Sequence, residues 1–114
     1  MKVIYVAGKY RDTRGEYYVR ENIRFAEDYA LKIWEMGGVA ICPHKNTEGF
    51  GGFLPDSRWL DGDMELISRC DAMYLLSNYT TSSGTQQELN FAQNHNIPVL
   101  INLLELERFL DGNG

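Results

Sequence analysis

The chain has 114 residues, a formal net charge of −5 at pH 7 and 44% hydrophobic residues, which predicts one domain over residues 1–114. The acidic charge disfavours nucleic acid as a partner, since domains that bind it are usually basic. No apolar run approaches the roughly 20 residues of a membrane span and no signal-peptide pattern opens the chain, so we expect a cytoplasmic protein with no membrane partner.

The hydrophobic pattern predicts four strands and four helices in alternation. The first segment is almost entirely apolar, as in a buried parallel strand, and Gly8 ends it. From residue 16 to residue 36, apolar residues recur every three or four positions, which indicates an amphipathic helix. The predicted strands cover residues 2–7, 39–42, 72–76 and 98–101, and the predicted helices cover residues 16–36, 56–69, 85–94 and 103–110.

The segments between these elements are predicted loops. Residues 46–54 form a glycine-rich loop that contains Gly49, residues 78–83 form a loop of Asn, Thr and Ser, and residues 111–114 form a frayed tail. The order of elements predicts an α/β fold of flavodoxin-like or Rossmann-like type, with a parallel sheet of four to five strands between helices. In such folds ligands bind beyond the carboxyl ends of the strands, so the loops that follow the strands are the candidate site.

The loop after the first strand carries Gly8, Lys9 and Arg11. It matches neither the P-loop nor the dinucleotide-binding pattern. Gly8 would let the backbone approach a ligand, and the two cations suit a phosphate or a carboxylate. Five of the eleven basic residues lie between positions 9 and 24, which fits either a solvated helix face or a local positive potential for a small anion.

The loop after the third strand carries Ser82, Ser83 and Gly84 just before a predicted helix. Free N–H groups at a helix N-terminus can bind an anion. Thr85 and Glu88 also have the spacing of a capping box, in which Glu88 would only bond back to the helix start. The alternative is that Glu88 projects its carboxylate toward a ligand in the crevice.

Two other polar residues fall at positions that predict burial. Asp63 shares a helical face with Trp59 and Ile67, where a carboxylate is costly unless it is paired, although a solvated face is an equal alternative. Asp61 is expected to face water. Tyr5 lies within the first strand, where a buried hydroxyl needs a hydrogen-bond partner.

The sequence offers no metal site. Cys42 and Cys70 are far apart and are expected to be buried thiols rather than a disulfide. With only His44 and His95 beside them, the ligands are too few and wrongly spaced for zinc. We therefore expect no metal and no cofactor.

Three motifs and a short final strand, in this order, point to a known family. Residues 5–8 read Tyr-Val-Ala-Gly, Asp63 precedes Asp71 by eight positions, and residues 82–92 fit an Asp/Ser-x-Gly-x-x-x-Glu-Leu-x-x-Ala pattern. Residues 97–101 form the short final strand. In these features the chain resembles the nucleoside 2-deoxyribosyltransferase superfamily, including its 2′-deoxynucleoside 5′-phosphate N-hydrolases and small phage and bacterial members of uncharacterised function. The resemblance spans roughly residues 2 to 102.

The resemblance implies an enzyme that cleaves or transfers an N-glycosidic bond. It implies that Glu88 is the nucleophile, that Tyr5 hydrogen-bonds it, and that Asp63 assists at the base or the sugar. His44, at the end of the second strand, could contact the base or could simply bond to the backbone. Such a reaction uses two carboxyl groups, one to attack the sugar and one to handle the proton of the leaving base.

At one position the chain differs from the transferases of the superfamily, and this difference concerns the substrate. Transferases of the superfamily usually carry Asp six residues before the nucleophile, whereas this chain has Ser82, as the phosphate-preferring hydrolases do. Arg11 also matches those hydrolases, and Lys9 replaces their Ser. We therefore expect a nucleoside 5′-monophosphate, held by Lys9, Arg11, Ser82 and the amides near Ser83 and Gly84. The alternatives are a non-catalytic nucleotide-binding module and a nicotinamide-dinucleotide glycohydrolase.

The resemblance also implies an oligomer, because members of the superfamily complete their sites with residues from a neighbouring subunit. The chain carries large apolar residues, such as Trp34, Phe53 and Trp59, that one small domain is not expected to bury. We expect a homodimer or a larger homo-oligomer.

Overall fold

The computed structural model describes residues 1–46, 48 and 50–112 of the chain. Thr47 and Gly49 of the predicted glycine-rich loop, and Asn113 and Gly114 of the predicted tail, lie outside the described residues. The described elements, in chain order, are β1 Val3–Ala7, α1 Glu16–Glu35, β2 Val39–Ile41, α2 Pro43–Asn46, α3 Asp56–Ser68, β3 Ala72–Leu75, a 3-10 turn Ser77–Thr81, α4 Ser83–Asn94, β4 Val99–Leu100 and α5 Leu103–Leu110.

The four described strands form one parallel sheet in the order β2-β1-β3-β4. This confirms the predicted α/β fold with a parallel sheet between helices. The strand that follows β1 in the chain, β2, lies at one edge of the sheet, and the strand that follows β3, β4, lies at the other edge. The loops that follow β1 and β3 therefore diverge, and a crevice for a ligand opens between them.

Each face of the sheet packs against its own pair of helices. Ile4 and Val6 of β1 belong to the core on the side of α1 and α5, whereas Tyr5 and Ala7 belong to the core on the side of α3 and α4. This alternation follows from the two-residue period of a strand. It determines the site, because Tyr5 is directed at the two helices that carry Asp63 and Glu88.

The predicted boundaries differ from the observed ones in a few places. The short helix α2 and the 3-10 turn lie where loops were expected, and α4 begins at Ser83 rather than at residue 85. The last strand is two residues long instead of four. It ends early because the N–H of Ile101 donates to the Glu105 side chain at 3.0 Å and leaves the ladder.

Cys42 and Cys70 are free, half-buried thiols. Burial raises the pKa of the Cys70 thiol to about 11, so this group stays protonated at neutral pH. In the described part of the chain, no helix is long and apolar enough to cross a membrane.

Candidate active site

Tyr5 and Glu88 form a buried hydrogen bond at the centre of the molecule. The Tyr5 hydroxyl donates to Glu88 Oε2 at 2.5 Å. Tyr5 is fully buried and Glu88 is 6% exposed, so neither group is freely solvated. Burial, followed by the adjacent Glu88 carboxylate, raises the pKa of Tyr5 well above its ordinary value, so its hydroxyl remains a donor.

Asp63 completes a pair of carboxyl groups with Glu88. It is half-buried on α3 and interacts with the Glu88 side chain on α4. Burial raises the pKa of Glu88 to about 8, with Asp63 contributing, and burial raises the pKa of Asp63 to about 6. Two adjacent carboxyl groups in a poorly solvated place cannot both ionise easily, so at neutral pH the pair shares a proton.

The capping-box interpretation of Glu88 is wrong. The residue that caps α4 is Ser82, whose hydroxyl accepts from the Thr85 N–H at 3.2 Å. The helix therefore begins two residues before Thr85, and Thr85 occupies its first turn rather than the cap position. Glu88 lies beyond the reach of the free N–H groups, and its carboxylate is bonded to Tyr5 instead.

Gly8 allows the end of β1 to approach the end of β3. A Cβ atom at this position would overlap the Leu76 side chain. A larger residue would therefore require Leu76 or the loop after β1 to shift. Gly84 has no such constraint, because a Cβ atom there would meet nothing within 4 Å.

Lys9 connects the loops that follow β1, β2 and β3. Its N–H donates to Asn78 Oδ1 at 3.0 Å, and its Nζ donates to Thr81 Oγ1 at 3.1 Å. Its carbonyl oxygen lies 2.9 Å from His44 Nε2. The ammonium group is thereby held next to the loop that leads into α4, as a phosphate-binding cation would need to be.

His44 is buried and uses one of its two ring nitrogens. Nε2 faces the Lys9 carbonyl, which can only accept, so Nε2 carries the proton. Nδ1 is also buried and has no hydrogen-bond partner among the described residues. Burial lowers the pKa of His44, so the ring is neutral at neutral pH with a free acceptor. The backbone bond that the sequence allowed is present, and a contact with the base remains a prediction.

Arg11 is not joined to Lys9 by any contact in the described chain. Its guanidinium pairs with Asp56 in the first turn of α3, and both side chains are more than 60% exposed. An exposed pair of this kind contributes little free energy, so it does not hold Arg11 firmly in place. Ser83 is exposed at the start of α4.

An aromatic groove of about 410 Å³ is lined by Phe50, Phe53, Leu54 and Trp59. Trp59 lies one helical turn before Asp63 on α3, so the groove and the carboxyl pair lie along one side of that helix. Trp59 Nε1 is buried without a hydrogen-bond partner among the described residues. Such a groove can accommodate a flat apolar group next to Asp63.

Asp71, the second Asp of the sequence motif, lies at the opposite end of the sheet. Its Oδ2 accepts from the Val3 N–H at 2.7 Å, and its own N–H donates to the Val3 carbonyl at 2.8 Å. These bonds anchor the start of β1 beside β3. Asp71 is therefore structural and far from the carboxyl ends of the strands.

Three polar residues of this site were missed by the sequence argument: Asp12, Asn78 and Thr81. All three lie in loops that follow strands β1 and β3, which is the only signal the sequence offered. Their contacts depend on how the two loops meet, and residue spacing does not reveal that.

The comparisons with known proteins agree with this fold. The structure of a 2-deoxyribosyltransferase from the psychrotolerant bacterium Bacillus psychrosaccharolyticus, characterised as a biocatalyst for nucleoside synthesis, is similar with a TM-score of 0.60. The similarity covers 90% of this chain and 79% of that chain at 22% sequence identity. The protein thus has an α/β fold of the deoxyribosyltransferase kind.

The chain belongs to the family described as a domain of unknown function, DUF4406, whose model matches residues 2–101. No curated protein matches the chain.

Proposed function

We propose that the protein cleaves or transfers the N-glycosidic bond of a nucleoside or deoxynucleoside 5′-monophosphate, with Glu88 as the nucleophile. The observation that carries this proposal is the buried cluster of Tyr5, Asp63 and Glu88. A buried carboxyl pair costs folding free energy, and perturbed carboxyl groups in a crevice are typical of catalytic sites. The deoxyribosyltransferase-like fold adds support.

The cluster is suited to a retaining reaction with two carboxyl groups. Glu88, as a carboxylate, attacks C1′ of the sugar and forms an ester. The bond between C1′ and the base nitrogen breaks, its electron pair stays on the base, and Asp63 supplies the proton. Water then hydrolyses the ester, or a second base accepts the sugar. Tyr5 keeps Glu88 oriented through its hydrogen bond.

The shared proton of the carboxyl pair fits these roles. At neutral pH the pair holds about one proton, since the pKa of Glu88 is raised to about 8 and that of Asp63 to about 6. These pKa values place the proton mainly on Glu88 at rest, and the reactive arrangement forms when it passes to Asp63 and leaves the charge on Glu88. The same two groups can thus provide both the nucleophile and the acid without further proton uptake.

The loops around the crevice support a phosphate on the sugar. Lys9 lies against Thr81, and Ser82 caps a helix whose first N–H groups are available to an anion. Arg11 would join them by leaving its exposed pair with Asp56. We assign the phosphate to Lys9, Ser82 and the amides near Ser83 and Gly84, with Arg11 as an additional cation at the entrance.

The test is release of free base from a panel of nucleosides and their 5′-monophosphates by the parent and two variants. Glu88→Gln keeps the shape and can still accept from Tyr5, but it cannot attack C1′. It should lose several orders of magnitude in turnover, as expected for a missing nucleophile. Asp63→Asn should slow the reaction less, because it removes a supporting group.

Glu107→Gln, on the exposed surface of α5, is the matched control and should react like the parent. Parent-like turnover by Glu88→Gln would overturn the assignment of the nucleophile. Binding without cleavage across the whole panel would instead identify a non-catalytic nucleotide-binding module. Equal rates of base release from nucleosides and from their 5′-monophosphates would overturn the phosphate assignment but not the assignment of the nucleophile.

A further inference from the structure

Asp12, in the loop between β1 and α1, has an unusually enclosed carboxylate. Its side chain is only 2% exposed. Oδ1 accepts from the Arg14 N–H at 3.0 Å and from Arg14 Nε at 2.8 Å, and Oδ2 accepts from Arg14 Nη2 at 2.7 Å. Oδ2 also lies 3.7 Å from the ammonium group of Lys9. One carboxylate thus contacts two cations of the same loop.

This carboxylate remains charged at neutral pH. The hydrogen bonds from Arg14 hold the pKa of Asp12 well below its usual range. The two cations around it outnumber it, so the cluster keeps a net charge of about +1 at neutral pH. The Arg14 guanidinium also lies 3.8 Å from the centre of the Tyr18 ring, a cation–π contact.

Lys9 is held at its N–H, its carbonyl oxygen and its ammonium group. Asn78 accepts from its N–H, His44 donates to its carbonyl oxygen, and Thr81 accepts from its ammonium group. Asp12 provides the only charged contact of that ammonium group in the described chain. A lysine side chain is flexible, and holding it in one geometry reduces the entropy that ligand binding would otherwise cost.

We propose that Asp12 is a positioning residue for anion binding, which fixes the Lys9 ammonium group toward the start of α4 where a sugar phosphate would lie. This inference rests on the proposed function, because it takes Lys9 to be a phosphate-binding cation. Asp12 does not contact the anion itself. It acts through Lys9, and Arg14 keeps it charged and in place.

The variant Asp12→Asn separates positioning from simple electrostatics, because the two predict opposite changes. Removing a negative charge beside an anion site should tighten anion binding if only Coulomb attraction matters. If Asp12 positions Lys9, the same change should weaken binding of 2-deoxyribose 5-phosphate or ribose 5-phosphate by about tenfold or more, as for a lost charge-assisted hydrogen bond. Calorimetry gives the dissociation constants, with unphosphorylated 2-deoxyribose and ribose measured beside them.

Two controls make the result specific. Asp28→Asn removes the same charge from the exposed surface of α1 and should leave the affinity for sugar phosphate unchanged. Lys9→Ala removes the cation itself and should weaken binding at least as much as Asp12→Asn. The affinity for unphosphorylated sugar should stay within about twofold in all variants, since a twofold change is less than 0.5 kcal/mol.

The outcomes separate this inference from the proposed function. If the parent binds neither sugar phosphate, or if Lys9→Ala binds as well as the parent, the phosphate assignment fails and the inference fails with it. If Lys9→Ala weakens binding while Asp12→Asn leaves it unchanged or tightens it, only the inference is overturned. An equal loss for phosphorylated and unphosphorylated sugar by Asp12→Asn would also overturn it, because the role would then be structural.

A second variant covers the case in which Asp12→Asn does not fold. Arg14→Ala removes a side chain that is 60% exposed and leaves the Asp12 carboxylate in place without its fork of hydrogen bonds. The freed carboxylate would then pair more closely with Lys9 and compete with the anion. Affinity for sugar phosphate should fall while affinity for the unphosphorylated sugar does not. Unchanged affinity for sugar phosphate would contradict the positioning role.

Discussion

Glu88 and Asp63 place two carboxyl groups in a poorly solvated part of the protein. Tyr5 satisfies one oxygen of Glu88, but no cation contacts either carboxylate in the described chain. A pair of apolar residues of similar size would fold more favourably here, since an uncompensated buried charge costs several kcal/mol. This cost in folding free energy is consistent with a catalytic role for the pair, because active-site residues often reduce the stability of a protein.

The same pair makes the stability of the protein depend on pH. Both pKa values lie above the ordinary ones, about 8 instead of 4.5 for Glu88 and about 6 instead of 3.8 for Asp63. At a pH between the ordinary and the raised pKa of either group, the folded protein binds more protons than the unfolded chain. The stabilising contribution is therefore complete below about pH 4 and is lost as the pH rises toward about 8.

Glu88→Gln should remove the upper part of this dependence. Above about pH 6 Asp63 is already ionised, and the further loss of stability in the parent comes from Glu88. The variant should therefore melt at nearly constant temperature from pH 6 to pH 8, while the parent melts at progressively lower temperature. Thermal unfolding across this range measures the difference, and other titrating groups contribute equally to both proteins.

Glu107→Gln is again the matched control and should follow the parent at every pH, because its side chain is exposed. Parallel curves for the parent and Glu88→Gln would mean that Glu88 ionises as an ordinary carboxyl group. That result would remove the argument that burial of this group is maintained for catalysis.

At the scale of elements, the start of α4 has a stability role and, in our proposal, a binding role. Ser82 caps the helix, and its hydroxyl also lies 2.8 Å from Thr85 Oγ1. The same residue lies next to Thr81, which contacts Lys9. A substitution that keeps the cap but changes the charge can therefore separate the two roles.

Ser82→Asp should leave stability unchanged or raise it, because Asp is an equally good cap and favours the positive end of the helix dipole. It should weaken binding of sugar phosphate by about tenfold or more, because the new carboxylate repels the phosphate. Ser82→Asn is the matched control, with nearly the same shape and no charge, and should bind like the parent. Thermal melts and calorimetry measure the two effects. Equal affinities for the Asp and Asn variants would show that the phosphate does not lie at this helix start.

Much of the element order was predictable from hydrophobic period alone. The long helix α1 and the strand β1 carry strong patterns, and both ends of α5 were predicted correctly. The start of α4 was misplaced by two residues, since Ser82 and Thr85 are both good capping residues and only one can be used. In the structure Ser82 is the cap and Glu88 accepts from Tyr5.

The candidate site was predictable only in part. Tyr5, Asp63 and Glu88 were named from a resemblance, and the structure brings them together because Tyr5 faces α3 and α4. The hydrogen bonds of Lys9 to Asn78 and Thr81 depend on side-chain directions in two loops. Neither hydrophobic periodicity nor a sequence motif specifies those directions, so this part of the site could not be predicted from the sequence.

At the scale of the whole molecule, several large apolar side chains remain exposed. Trp34 on α1 is 53% exposed and Phe53 of the aromatic groove is 82% exposed, whereas Trp59 of the same groove is half-buried. Exposed aromatic residues next to a groove often mark an interface. Trp59 of the groove lies one helical turn before Asp63, so a second subunit bound there would lie near the carboxyl pair.

We therefore expect a homodimer or a larger homo-oligomer that forms through the aromatic groove. Sedimentation or light scattering at micromolar concentration should give at least twice the 13.1 kDa mass of one chain. Phe53→Ser should shift the protein toward the monomer and lower turnover together, because aromatic residues in an interface carry much of its binding energy and this one lines the same groove as Trp59. Trp34→Ser, which removes an exposed aromatic residue from α1, should change neither. A parent protein that is monomeric and fully active under these conditions would contradict this assembly.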